Sequence, residues 1–288
     1  MASNNMQDIK RRIRSVNSTE HITNAMKLVS AAKLRKAKST FERTREYFHF
    51  ITESIEEIFN NTGEVPEKYL LGNREIVTTC YIIVTSCRGL CGSFNSNVIK
   101  AAEQEILADP EKPLIVAVGP RGKEYFEKRG YEIYSEYSAP PESISFLETR
   151  EISRPIIDMY NDGTIDEVVL IYTSFVSTLE QQVKSVTLLP FDIERDPDIM
   201  QVEKQIDYEP SVEEVFNYLV PKYVEIMVYG AVVESATCEH AARRMAMENA
   251  TDNAREMLGQ LSLFYNRARQ AAITNEIIEV VSGSEAQK

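Results

Sequence analysis

With 288 residues, 43% apolar and 26% charged, the chain has material for one large domain or for a medium domain with an extended element. No uninterrupted apolar run approaches the ~20 residues of a membrane span, residues 1–5 lack the apolar stretch of a secretory leader, and four irregular cysteines exclude a disulfide framework. The net charge of −12 hides an asymmetry, because residues 1–45 hold eleven Lys/Arg against Asp8, Glu20 and Glu42 and so predict an end that meets an acidic partner.

The first segment, 1–62, contains no glycine before Gly63 and no proline before Pro66, so nothing in it breaks a helix. Apolar residues recur at helical spacing through Ile22, Ala25, Val29 and Ala32. After a slip of phase they resume at Leu34, Ala37, Phe41, Thr44, Phe48, Ile51, Ile55 and Ile58. Alternating steps of three and four are a heptad seam, the pattern of a coiled coil. A helix of about fifty residues would be roughly 75 Å long, more than a compact domain accommodates.

Residues 74–195 change rhythm. Segments 77–84, 114–118 and 168–172 are short, rich in Val and Ile, and predict buried strands, and 183–189 predicts a last strand. Helix-like stretches lie between them at 95–107, 122–128 and 143–160. This alternation predicts a central α/β domain with a mostly parallel sheet. Residues 192–214 carry nine acids, two bases, Pro197 and Pro210, the composition of a solvated connector. The last segment, 210–284, predicts a second long helix with the series Met247, Ala250, Ala254, Met257, Leu261, Phe264, Ala268, Ala271, Asn275 and Ile278. Each terminal helix alone would leave an apolar stripe in water, so the two are expected to pair as a long antiparallel coiled coil.

Few residues here carry catalytic chemistry. The turn from Ser86 to Asn95 and the Val118-Gly-Pro-Arg-Gly122 turn sit where strands give way to helices. Neither continues into Gly-Lys-Ser/Thr or fits GxGxxG, so both predict tight turns rather than phosphate cradles. Cys87, Cys91, Cys238 and His240 lack the spacing of a zinc site and predict reduced structural cysteines. His21, His49 and His240 form no HExxH pair and flank no nucleophile, which predicts solvated or lightly packed helix residues. The basic run Lys33 to Lys38 shares its helix with an apolar seam, which favours a solvated face, or one meeting an acidic protein surface, over nucleic acid. No catalytic, metal or cofactor-binding set emerges. A coiled-coil scaffold or a nucleic-acid-binding protein stands as the alternative reading.

Several segments resemble one family, the gamma subunits of F-type ATP synthases. The C-terminal run Ile273-Thr-Asn-Glu276-Ile-Ile-Glu279-Val-Val-Ser-Gly283 is similar to that family's signature, with Ser284 where alanine is usual. Asn266–Ala271, Ala250–Ala254, Glu239–Arg243, Ile22–Lys27, Leu34–Ala37, Arg88–Gly92 and Asn95–Asn97 resemble family segments in the same order. Cys87 stands where the family commonly has aspartate. The resemblance spans essentially the whole chain. It implies a non-catalytic rotor shaft inside a ring of three alpha and three beta subunits, with the α/β domain near the epsilon subunit and the membrane c ring. It further implies that Met26, Lys27, Arg243, Arg269, Gln270, Thr274, Glu276 and Glu279 meet the ring, and that Tyr208 and Glu209 rest on the c ring. No cofactor is implied. The expected location is peripheral, at the cytoplasmic face of a bacterial plasma membrane.

Overall fold

The computed structural model describes residues 2–61, 66–72, 75–108, 112–191 and 209–285. Helix α1 (Ala2–Asn61) has 60 residues and helix α5 (Val212–Glu285) has 74. The chain divides into a helical unit, Met1–Ala31 with Arg243–Lys288, and a sheet unit, Ala32–Ala242. Among the described residues no helix is long and apolar enough to cross a membrane.

In the sheet unit the elements run β1 (Thr78–Val84), α2 (Phe94–Ala108), β2 (Lys112–Val118), α3 (Pro120–Lys128), β3 (Ile133–Tyr137), α4 (Phe146–Asn161), β4 (Glu167–Phe175) and β5 (Gln181–Leu189). The strand order is β3-β2-β1-β4-β5. All pairs are parallel except β4 with β5, which meet antiparallel from Val168↔Leu189 to Phe175↔Gln181. The sheet is therefore mostly parallel, as the alternation of strands and helices predicts. Strand β3 escaped the sequence reading because it is a short edge strand with every second residue exposed, so it lacks a buried apolar run.

Side-chain alternation assigns the two faces of the sheet. Cys80, Ile82, Val84, Val168 and Leu170 pack with Ile152, Ile156 and Tyr160 of α4 and with Val220, Val224, Val228 and Val232 of α5. Tyr81, Ile83, Ile115, Val169 and Ile171 face the other way, onto Val98, Ala102 and Ile106 of α2 and Phe126 of α3. The result is three layers, with a helix pair on each face. Because α5 lies in the core here, residues 223–228 and 235–241 are buried on nearly every side. His240 is only 1% exposed, which corrects the expectation of a solvated histidine. His21 is exposed as expected, and the side chain of His49 lies outside the described residues.

In the helical unit α1 and α5 run antiparallel. Glu20 meets Arg255 at 3.0 Å and Thr23 meets Thr251 at 2.9 Å, so numbers rise on one helix as they fall on the other. On α1 the residues turned inward are Met6, Ile9, Ile13, Val16, Glu20, Thr23, Lys27 and Ser30, an unbroken alternation of steps of three and four. On α5 they are Met247, Thr251, Ala254, Leu258, Leu261, Tyr265, Ala268 and Ala272. The expected seam differs at several positions. Ile22 and Val29 on α1 are 58% and 57% exposed, and Met257, Phe264 and Ile278 on α5 are 50%, 57% and 55% exposed. Polar residues at Glu20, Thr23, Lys27 and Ser30 occupy the true seam, so apolar counting favoured the neighbouring phase.

Candidate functional site

A sheet that changes direction of growth opens a crevice at the carboxyl ends of the strands where the order reverses, and nucleotide-binding α/β folds use that crevice. Here it falls between β1 and β4, and the chain fills it with its own groups. Cys91 and Phe94 after β1, Cys238 on α5, and the partly buried Phe175 and Ala242 make one apolar cluster. Asn95 accepts from the Ser86 amide at 2.9 Å and donates to the Ser86 hydroxyl at 2.7 Å, which folds the loop before α2 onto itself. The neighbouring turn has the same character. The amide of Gly122 at the start of α3 donates to the Thr85 hydroxyl at 2.9 Å. Gly119 has φ +99°, and a Cβ there would lie 2.2 Å from the Thr85 carbonyl oxygen, so only glycine fits.

The cysteines are all free. Burial raises the Cys80 thiol to about 12 and also pushes the Cys238 thiol up, which keeps both protonated. The Cys87 thiol donates to the Ser138 carbonyl at 3.2 Å. Among the described residues no group of three His, Cys, Asp or Glu could hold a metal ion. An open recess of about 490 Å³ is lined by Thr40, Arg43, Thr44, Phe146, Ile226 and Tyr229, a set with one cation and no acid, base or nucleophile pair.

The surface of the helical unit is richer. Its seam is narrow and partly polar, and its outer faces carry further large apolar side chains. Leu28 on α1 and Leu263 on α5, with exposures of 62% and 63%, join Ile22, Val29, Met257 and Phe264 in water. The register set by Glu20 with Arg255 puts Ala2 level with about residue 273, so among the described residues α5 extends past α1 by roughly twelve residues, about 18 Å. Along that stretch Ile273, Ile277, Ile278, Val280 and Val281 are all exposed.

The residues singled out by resemblance fall as follows. Met26 and Lys27 are half-buried neighbours on α1, Lys27 being on the seam. Arg243, at 9% exposed, is buried where α5 enters the helical unit. Arg269, Gln270, Thr274, Glu276 and Glu279 are all exposed on the last turns of α5, and the Thr274 hydroxyl donates to the Gln270 carbonyl at 2.9 Å. At about 100° per residue these five surround the helix instead of sharing one face. Glu209 is exposed just before α5, and Tyr208 lies outside the described residues. Sequence reasoning did not single out the outward apolar side chains, although their signal was present as the heptad series assigned to the seam.

Comparison with known proteins gives this arrangement a context. The family model described as ATP synthase matches residues 5–287. The ATP synthase gamma chain of Alkaliphilus metalliredigens is 48% identical, over 98% of this chain and 99% of its own length. The sodium-ion-specific ATP synthase gamma chain of Acetobacterium woodii is 42% identical over 98% of each. Among solved structures, a chain of the central stalk and c ring of the Tetrahymena thermophila mitochondrial ATP synthase is similar, with a TM-score of 0.65 and 28% identity. That match covers 80% of this chain and 99% of that one. A chain of the Euglena gracilis mitochondrial ATP synthase shares the fold at a TM-score of 0.69 and 19% identity, covering 99% of this chain and 95% of that one. An antiparallel helix pair joined to a three-layer sheet unit, matched along almost every residue, belongs to the ATP synthase gamma-chain family, and so does this chain.

Proposed function

We propose that the chain is the central rotor shaft of a rotary ATP synthase, carrying torque between a membrane c ring and a catalytic ring of three alpha and three beta subunits. It couples ion translocation to ATP synthesis or hydrolysis and is itself non-catalytic. The observation that carries this reading is the helical unit, whose two helices bury one seam against each other while further large apolar side chains, Ile22, Val29, Met257 and Phe264 among them, face outward at heptad spacing. Such a surface fits a ring that must grip the shaft weakly and differently at each angle, since one rotor biases three identical sites only through differential contact energy. Basic residues on the outer face of α1, among them Arg12, Arg14 and Lys33, suit acidic lever segments, each exposed pair contributing about 1 kcal/mol or less.

In this proposal Met26 and Lys27 face beta-subunit levers, and Arg243 meets the ring lower down the shaft. Arg269, Gln270, Thr274, Glu276 and Glu279 meet the beta-subunit loop around the end of the shaft, and Tyr208 and Glu209 rest on the c ring. The working parts are 1–62 and 210–284 as the shaft helices and 74–195 as the domain that meets the epsilon subunit. The complex sits at the cytoplasmic face of a bacterial plasma membrane, and this subunit reaches the membrane only through its partners. Co-expression with the alpha and beta subunits of the Alkaliphilus relative tests the reading. One copy of the chain is expected to enter a ring that hydrolyses ATP and turns a probe fixed to the chain. A ring that forms and turns over ATP while excluding the chain would sink it.

A further inference from the structure

We infer that Glu234, with Ser235 and Cys238, is a torsional key that fixes α5 to the carboxyl end of β4, an inference that rests on the shaft reading above. Strand β1 stops facing β4 at the pair Ile83↔Ile171. Beyond that pair, side chains of α5 take successive backbone groups of β4. The Thr173 amide donates to the Ser235 hydroxyl at 3.2 Å, and the Cys238 thiol donates to the Thr173 carbonyl at 3.5 Å. The Glu234 carboxylate accepts from the Phe175 amide at 2.7 Å and from the Ser174 hydroxyl at 2.8 Å. Tyr172 reaches the same carboxylate, and burial first and then Glu234 push its phenol up, so it stays a neutral donor. A helix has thus replaced a neighbouring strand as the partner of this strand end.

The geometry of these bonds resists rotation. At about 100° per residue, positions 234, 235 and 238 spread over roughly 100° of the helix circumference. Turning α5 about its own axis in either sense therefore stretches at least one bond. The apolar contacts nearby come from Val228, Ala231 and Val232. Packing of that kind is non-directional and opposes rolling far less than hydrogen bonds of fixed geometry do. At Thr173–Phe175 the backbone of β4 is held by β5 on one side, and the bonds from α5 fall on the strand end that β1 has left. Glu234 is a positioning residue for torque, and its charge strengthens the bonds where the load enters the sheet.

The test uses the complete rotary complex, immobilised through its catalytic ring, stalled with a non-hydrolysable ATP analogue, and carrying a nanorod on the c ring. The angular spread of the stalled nanorod measures torsional stiffness. Glu234→Ala is expected to broaden the angular variance roughly two-fold, because it removes two of the four bonds by which α5 holds the end of β4. Glu234→Gln, which keeps a neutral acceptor, should fall between that variant and wild type. Ile156→Val, a core change of the same unit without a bond to β4, should lower thermal stability and leave the spread alone. A Glu234→Ala complex with wild-type spread overturns the inference. If that variant does not accumulate, Ser235→Ala carries the test, and wild-type spread there overturns it equally. A wild-type chain that never turns the nanorod counts instead against the shaft reading.

Discussion

Single residues decide two features that composition does not reveal. Gly119 is held at positive φ with the Thr85 carbonyl where a Cβ would go, so Gly119→Ala should destabilise the sheet unit by about 3 kcal/mol or more in urea unfolding. Gly259 is the opposite case. It lies on an exposed helical position with open space around it, and Gly259→Ala should raise stability by about 0.5–1 kcal/mol in the same measurement. The threonine pair of the helical unit sits between these extremes. The Thr251 hydroxyl lies 2.9 Å from that of Thr23 and 2.7 Å from the Met247 carbonyl oxygen, and both threonines are buried. Changing either one to valine removes the bond between them and leaves the other hydroxyl its backbone carbonyl, Met247 for Thr251 and Glu20 for Thr23, so each change should cost about 1 kcal/mol and the double variant less than the sum. A cycle showing strict additivity would mean the two hydroxyls do not interact.

Among the elements, α4 has the best-defined start. Ser145 caps it, accepting from the Glu148 amide, while the Glu148 carboxylate accepts from the Ser145 amide and hydroxyl. Those bonds, the backbone one first, hold the Glu148 carboxyl below its ordinary value. A group lowered on folding stabilises above its unfolded pKa and loses that contribution as pH falls through the folded one. Ser145→Ala should cost about 1 kcal/mol near neutral pH. The gap between variant and wild type should narrow on titration below the carboxylate range, and a gap independent of pH would show that the box is not formed. The capping pattern Ser-x-x-Glu was present in the sequence, as were four of the five strands: β1, β2 and β4 announce themselves by runs of Val and Ile, and the edge strand β5 by Val183, Val186, Leu188 and Leu189. The edge strand β3 did not, since Tyr134 and Glu136 face outward. The seam was legible as a period but not as a phase. Hydrophobicity marks an apolar face without saying what covers it, and on α1 and α5 the more apolar series lies beside the face that pairs.

For the molecule as a whole, that distinction makes a prediction. Leu261→Ala, on the seam, should lower the stability of the isolated chain by about 1–2 kcal/mol. Phe264→Ser, on the outer face, should shift it by less than about 0.5 kcal/mol, yet reduce ATP turnover or assembly when the catalytic ring is added. Equal effects of both changes on the isolated chain would refute the division of faces. The chemistry proposed for the ring contacts was legible only through resemblance, because Arg269, Gln270, Thr274, Glu276 and Glu279 are ordinary exposed helix residues by every local criterion. The polar layer formed by Glu20, Thr23, Thr251 and Arg255 has a last consequence. A heptad is the natural step by which two paired helices creep lengthwise, and one such step would set the Glu20 carboxylate against Leu261 on one side or Met247 on the other. Either leaves a charge facing hydrocarbon. The layer therefore acts as a detent, and a driveshaft that holds its length under load can convert each turn into the same angle at both ends.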